Sequence, residues 1–189
     1  MVHSASHVRA LDGGVVTGVN GSLRDMARRI EHRTTSSRPA RDVYAALVDE
    51  GHLRDRLAVL GGKDAELVTF TTTGQTTTYQ LRQGVDAADL PSVARGVLGG
   101  DLVITRTETW TEAGLTGTIE GLLNGVPGRI EGVITLSDTA GGSELHLVGQ
   151  VKVGIPLVGG KVEGIVVEQV ARLLDKETGF TSDWLARRS

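Results

Sequence analysis

Arg106 and Glu108 are the residues whose type and spacing most invite chemistry in this chain of 189 residues. Two positions apart on a strand, they point to the same face, because side chains alternate along extended backbone. A carboxylate beside a guanidinium can act as general acid or base next to a group that stabilises developing negative charge. The same pair can equally be a structural ion pair, since an unpaired charge in an apolar interior costs several kcal/mol. Gln169 is the third polar residue of interest. Helical spacing sets it near the centre of an apolar arc, where a buried amide must find a hydrogen-bond partner.

Other chemical patterns fail on inspection. Gly159-Gly160-Lys161 has the look of a phosphate loop, but Ile155 stands where the first glycine belongs and Val162 where Ser or Thr would bind magnesium. A tight turn ahead of a helix accounts for these glycines. Of the five histidines, His3, His7, His32, His52 and His146, His3 and His7 alone have a metal-ligand spacing, so no metal site and no cofactor are expected. With no cysteine, disulfides and thiolate chemistry are excluded.

Composition narrows the partners. Aromatic residues make up 3% of the chain, too few for a platform that stacks bases. A formal net charge of -3 removes the usual attraction to phosphate backbones, so nucleic acid is not an expected partner. No apolar run reaches the roughly 18 residues of a membrane span, and residues 1–26 lack the apolar core of a secretory signal. Integral membrane association is therefore not expected, and the cytoplasm is the expected location. The oligomeric state is open.

The elements that must position Arg106 and Glu108 follow from periodicity. Residues 1–26, rich in Gly, Ser and His, read as a loose tail, and 27–189 as one domain. Residues 28–35 read as a partly exposed strand. Ser36 to Asp49 read as a helix with Ser37 as cap and Pro39 in its first turn, and Glu50 to Leu60 as a second helix stopped by Gly61-Gly62. A threonine-rich hairpin follows over 65–72 and 75–82, then a short helix after Pro91. Strands over 102–110, 115–123, 130–136 and 145–153 lead into a long helix from about Leu157 to Ala186. Strands segregated from helices define an α+β domain, here a curved antiparallel sheet of about seven strands wrapped around the C-terminal helix.

Alternation along the later strands sorts out an inner face. Pairing Leu123 with Ile130 and Leu136 with Leu145 puts Gly117, Ile119, Gly121, Gly132, Ile134, Leu147 and Gly149 on it. Gly121, Gly132 and Gly149 then form a row, which either lets the sheet bend or leaves room for a ligand. Pairing Trp110 with Leu115 carries the face back to Ile104, Arg106, Glu108 and Trp110. An odd-length turn would instead turn Val103, Thr105, Thr107 and Thr109 inward. On the helix, Val158, Val162, Ile165, Val166, Val170, Leu173, Phe180 and Trp184 form the apolar stripe. The expected cavity is lined from these two surfaces, with Val162, Ile165, Val166, Gln169 and Leu173 as the helix contribution and Arg106, Glu108 and Gln169 as polar anchors.

The segments Gly100-Asp101-Leu102-Val103-Ile104-Thr105-Arg106-Thr107-Glu108-Thr109-Trp110 and Val153-Gly154-Ile155-Pro156-Leu157-Val158-Gly159-Gly160-Lys161-Val162-Glu163 resemble two signatures of an uncharacterised bacterial family, mostly actinobacterial. It is known as domain of unknown function 2505 and is grouped with the START-like, or polyketide cyclase (SRPBCC), superfamily of helix-grip folds. The resemblance runs from about Arg28 to Arg187. It implies the order strand, two helices, six strands, helix, which periodicity had already reached. It also implies a site for hydrophobic small molecules such as lipids, sterols or polyketides between sheet and last helix. Some members of that superfamily are cyclases, others carriers, and others bind protein partners. The family has no established catalytic residues, so none is carried over. A non-catalytic module for a hydrophobic or amphipathic small molecule is the leading expectation. A cyclase or hydrolase using Glu108 and Arg106, and an interaction domain with a packed interior, are the alternatives.

Overall fold

The computed structural model describes residues 27–188; the tail expected over 1–26, with His3 and His7, lies outside the described residues. The elements are β1 (Arg28–Ser36), α1 (Ala40–Leu47), α2 (Glu50–Leu60), β2 (Glu66–Thr73), β3 (Thr76–Val85), α3 (Ser92–Leu98), β4 (Leu102–Thr111), β5 (Thr116–Asn124), β6 (Gly128–Thr139), β7 (Gly142–Val153) and α4 (Gly159–Ala186). One antiparallel sheet takes the seven strands in the order β1-β7-β6-β5-β4-β3-β2. Its inner face is covered by α4, which packs on β1 and β7 and against α1, α2 and α3. This is the helix-grip arrangement expected from the pattern of elements. No helix among the described residues is long and apolar enough to cross a membrane.

Local rules account for most boundaries. Asp49 caps α2 by accepting a hydrogen bond from the His52 N–H at 2.7 Å. α1 starts four residues later than the reading from sequence, and Ser37 does not cap it. Pro39 precedes the first turn without a side-chain cap, and Asp138 of β6 accepts from the Ala40 N–H at 2.8 Å instead. A cap supplied across the fold leaves no local signature. The α4 start is tight as well. Gly159 is buried against the Val153 carbonyl, which leaves no room for a Cβ, so a close approach and not a phosphate loop explains this glycine.

The faces are as expected but two registers are not. β6 and β7 pair with Leu136 opposite Leu145 and Gly132 opposite Gly149. β5 and β6, however, pair Leu123 with Gly128 and Ile119 with Gly132, two residues from the expected alignment. β4 and β5 likewise pair Trp110 with Gly117, not with Leu115, which is taken up in the turn with a positive φ of 47°. A slip of two preserves the face, so the inner set stays intact while its partners change. Gly121 therefore faces Ile130 and Arg106, and the expected row of three glycines does not form.

The space beside these glycines is filled. A Cβ at Gly117 would sit 2.8 Å from the Trp110 ring, and one at Gly132 2.8 Å from Leu147 Cδ1. One at Gly149 would collide with the Glu131 carbonyl. The glycines admit large neighbours and a close strand approach on the inner face, while Gly132 and Gly149 also line an open groove with Thr118, Glu131, Val133 and Gln150. Trp110, Ile119, Ile134, Leu147, Val162 and Val166 are all part of one buried hydrophobic core.

Candidate functional site

The inner face of β4 carries Arg106, Glu108 and Trp110 inward, and β3 brings Thr77, Tyr79, Leu81 and Gln83 alongside. Arg106 and Glu108 are 5% and 4% exposed, so burial of this pair is what the even-numbered register required. Their charges are met from three sides. Arg106 Nε lies 3.0 Å from Glu108 Oε1, an ion pair without the angle of a hydrogen bond. Arg106 Nη2 donates to Glu177 Oε1 at 2.9 Å and Nη1 to Glu177 Oε2 at 3.4 Å. Glu108 Oε2 accepts from the Tyr79 hydroxyl at 2.7 Å and from Trp110 Nε1 at 2.8 Å.

Glu177 on α4 joins this pair to a second arginine. Arg56 Nη1 on α2 is 3.5 Å from Glu177 Oε2, and Gln83 Nε2 donates to Oε1 at 3.5 Å. Burial disfavours the charged Glu177 carboxylate, but Arg106 and then Arg56 outweigh it and hold its pKa below the ordinary carboxylate value. Burial likewise opposes the Arg106 charge, and Glu177 followed by Glu108 more than restores it, raising its pKa. The Tyr79 phenol is raised well above its ordinary value by burial and then by Glu108, which fixes it as a hydrogen-bond donor.

One turn of α2 before Arg56, His52 is fully buried, with Phe180 and Trp184 rings at 5.6 Å and 5.1 Å. The Thr181 hydroxyl donates to the Glu177 carbonyl at 2.7 Å, so His52 Nε2, 3.0 Å away, is the donor to Thr181. Burial, with Arg56 adding to it, pushes the His52 pKa down to about 4. Phe180 and Trp184, four residues apart on α4, thus pack together on His52, and Trp184 Nε1 donates to Asp55 Oδ2 at 3.0 Å.

A cavity of about 30 Å³ lies next to this network, between β1, β6, β7, α1, α2 and α4. Val43, Leu47, Leu136, Leu145 and Leu174 form its apolar wall, and Thr34, Ser36, Arg56, Ser143, Glu177, Thr178 and Thr181 its polar wall. That volume suits roughly two waters on a measure where one needs about 10–15 Å³. Along its rim, β1 and α4 are laced together: His32 Nε2 to Asp175 Oδ1 at 2.8 Å, Thr34 to Thr178 at 2.6 Å, and Ser36 to Ser182 at 3.1 Å. On the far side of this seam runs an open groove lined by Arg33, Thr34, Thr35, Asp175, Thr178, Gly179 and Ser182. Thr34 and Thr178 line both spaces, so their hydroxyl pair stands at the boundary between them.

None of the residues expected from sequence lines this cavity; Ile119, Gly132 and Gly149 line a separate open groove of the sheet, and Gly121 another. Arg106, Glu108, Trp110, Gly117, Ile119, Gly121, Ile134, Leu147, Val162 and Val166 are buried in packed surroundings, while Ile104, Gly132, Gly149, Ile165, Gln169 and Leu173 are half-buried. On α4 the deeply buried positions are Val162, Glu163, Val166, Leu174, Glu177, Thr181 and Trp184. Their three- and four-residue spacing was readable. The residues at three of those positions are polar, and a stripe drawn through apolar residues alone passes them by. Glu163, which the apolar stripe leaves out, is buried and accepts from the Val153 N–H at 2.9 Å. His146 lies on the outer face, 3.1 Å from Glu31 Oε1.

Seven antiparallel strands gripping a C-terminal helix form a START-like helix-grip fold. The chain belongs to the family described as Protein of unknown function (DUF2505), whose model matches residues 31–185. It is 33% identical over 108 residues to the uncharacterized proteins Rv0481c of Mycobacterium tuberculosis and Mb0491c of Mycobacterium bovis, covering 54% of this chain. The chain spans 62% of the length of these relatives. Among solved structures, it is similar to the Zhui aromatase/cyclase of a Streptomyces species, with a TM-score of 0.60, 17% identity, and coverage of 86% of this chain and 96% of that one. TTHA0849 of Thermus thermophilus gives 0.59, 16%, 86% and 99%, and a START superfamily protein of Mycobacterium smegmatis gives 0.56, 13%, 85% and 99%. At these identities the likeness establishes the fold and carries no residue roles.

Proposed function

We propose that this protein is a non-catalytic, cytoplasmic binding module for a small amphipathic molecule, held between the C-terminal half of α4 and the β1 side of the sheet. The observation that carries the reading is the cavity at Arg56, apolar on one wall and polar on the other, bordered by a seam of side-chain hydrogen bonds. Ligand sites have this character: mainly apolar walls with a few placed polar groups. A guest larger than two waters must part α4 from β1, and a seam of two hydroxyl pairs and one exposed histidine–carboxylate contact is a cheap place to do so, at about 1 kcal/mol per hydrogen bond. Native mass spectrometry of protein purified from its own cells should show a retained small molecule. Protein that carries no adduct and shows no thermal shift across a panel of aliphatic amphiphiles removes the basis of this reading.

The acid–base alternative draws no support from this geometry. Glu108 and Arg106 are held by each other, by Glu177, and by Tyr79 and Trp110, and neither lines the cavity. A second reading, an interaction domain with a packed interior, is favoured by the small cavity volume and by Leu122, Val133 and Val148 exposed on the outer face of the sheet. Its mark would be self-association or capture of a partner that Val133→Lys abolishes while the thermal stability is kept.

A further inference from the structure

Arg56 is 1% exposed, yet among the described residues no acceptor reaches its Nε or Nη2. Its one ionic contact runs through Nη1 to Glu177. Nε and Nη2 form one edge of the guanidinium fork, two parallel donors that a single oxygen or an oxygen pair can engage. Ser143, also 1% exposed and lining the same cavity, has no partner for its hydroxyl among the described residues. Buried donors left unpaired each cost on the order of 1–3 kcal/mol, so the cavity calls for an acceptor. A guanidinium has no acceptor atom, which fixes the polarity of what it needs.

Charge balance decides which acceptor. The formal charges of Arg56 and Arg106 already cancel those of Glu108 and Glu177, all four within one contiguous buried network. A carboxylate brought to Arg56 would leave a net negative charge buried next to Glu177, and buried uncompensated charge is strongly disfavoured. An uncharged oxygen satisfies both donors and leaves the balance intact. A surplus of donors favours an sp² oxygen, which accepts twice and adds no proton of its own, over an alcohol, which does add one. Leu136, Leu145 and Leu174 offer aliphatic surface beside it. We propose that the cavity binds an uncharged molecule with a carbonyl group, whose oxygen accepts from the Nε–Nη2 edge of Arg56 and whose aliphatic part lies on these leucines. The proposal rests on the binding-module reading and adds the chemical class of the ligand.

The test uses three probes of matched size, pentan-2-one, pentan-2-ol and pentanoate, titrated at pH 8 into the ¹⁵N-labelled full chain and followed by amide shifts around Ser143 and Leu174. Pentan-2-one should bind most tightly, pentan-2-ol several-fold more weakly, and pentanoate at least tenfold more weakly. Arg56→Lys keeps the charge balance but removes the forked edge, and should weaken pentan-2-one about tenfold with the alcohol little changed. Ser143→Ala, a second variant that leaves the ion network untouched, should weaken it by a few-fold. Pentanoate binding as tightly as the ketone, or ketone affinity unaltered in a folded Arg56→Lys protein, overturns the carbonyl assignment while the binding reading stands. If no probe shifts those amides, with waters alone in the cavity, both fall.

Discussion

The two ends of α4 are buried by opposite means. Towards its start, Val162 and Val166 sink into the hydrophobic core that also takes in Ile119, Ile134 and Leu147. Towards its end, Glu177 and Thr181 are just as deeply buried, but among Arg56, Arg106, Gln83 and His52. Packing at the first end is dense enough that Gly117, Gly132 and Gly149 each have a neighbour in the empty place beside them. At the second end donors outnumber acceptors, and the cavity lies there. Thin side chains do not by themselves make room, because a close-packed interior draws neighbours in; mismatched polar groups do, because their directions cannot be satisfied by closer packing alone.

The contrast can be broken most severely at Glu177. Glu177→Leu leaves two arginines facing each other in the interior and should cost about 3–5 kcal/mol in urea unfolding. Glu177→Leu combined with Arg56→Met should recover part of that loss, because Arg56 is the cation left stranded while Arg106 keeps its pairing with Glu108.

A pH series sharpens the same comparison. His52 titrates at about 4 when folded, against about 6.5 when unfolded. Below pH 6.5 the unfolded chain therefore binds a proton that the folded chain refuses. Its contribution is complete above that pH and is lost as the pH falls towards 4, amounting to about 2 kcal/mol at pH 5 relative to pH 7. The window opens above that of Glu177, whose lowered pKa removes stability only as the pH falls below about 4.5. His52→Gln should flatten the stretch between pH 6.5 and 5 and leave the acid limb in place.

At the apolar end the effects are smaller. Gly117→Ala presses a methyl into the Trp110 ring and should cost about 1–3 kcal/mol by thermal or urea unfolding. At the polar end, Gly179→Ala on the exposed side of α4, with open space around the new methyl, should instead stabilise the fold by about 0.5–1 kcal/mol. Equal penalties at Gly117 and Gly179 would mean that neighbours do not occupy the space beside the first.

Most of the architecture could be read in advance, because period two and period 3.6 are properties of a chain and survive small errors of alignment. Leu123 slipped by two residues against β6, yet every inner residue stayed inner. The site was harder. Arg106 and Glu108 announced themselves by breaking an alternation, whereas Glu177 and Arg56 lie on helices rich in charge, where a buried carboxylate looks like any exposed one. Their burial depends on which helix face meets β4, a fact of tertiary packing. The cavity was still less legible, since it arises from Ser143 at the start of β7, Arg56 on α2 and Thr34 on β1, three places with no sequence relation to one another.

The β1–β7 ladder brings Ile30 opposite Gly149, so the earliest strand of the domain finds its neighbour among the last. Such distant pairing lengthens the loop to be closed before any reward is gained, and slows folding accordingly. During synthesis β1 has no strand beside it until β7 has emerged, and the cavity wall of Thr34 and Ser143 is closed over only when α4 follows with Leu174, Glu177 and Thr178. A chain extended only as far as β6 would thus carry the β2–β6 meander with β6 as an unpaired edge.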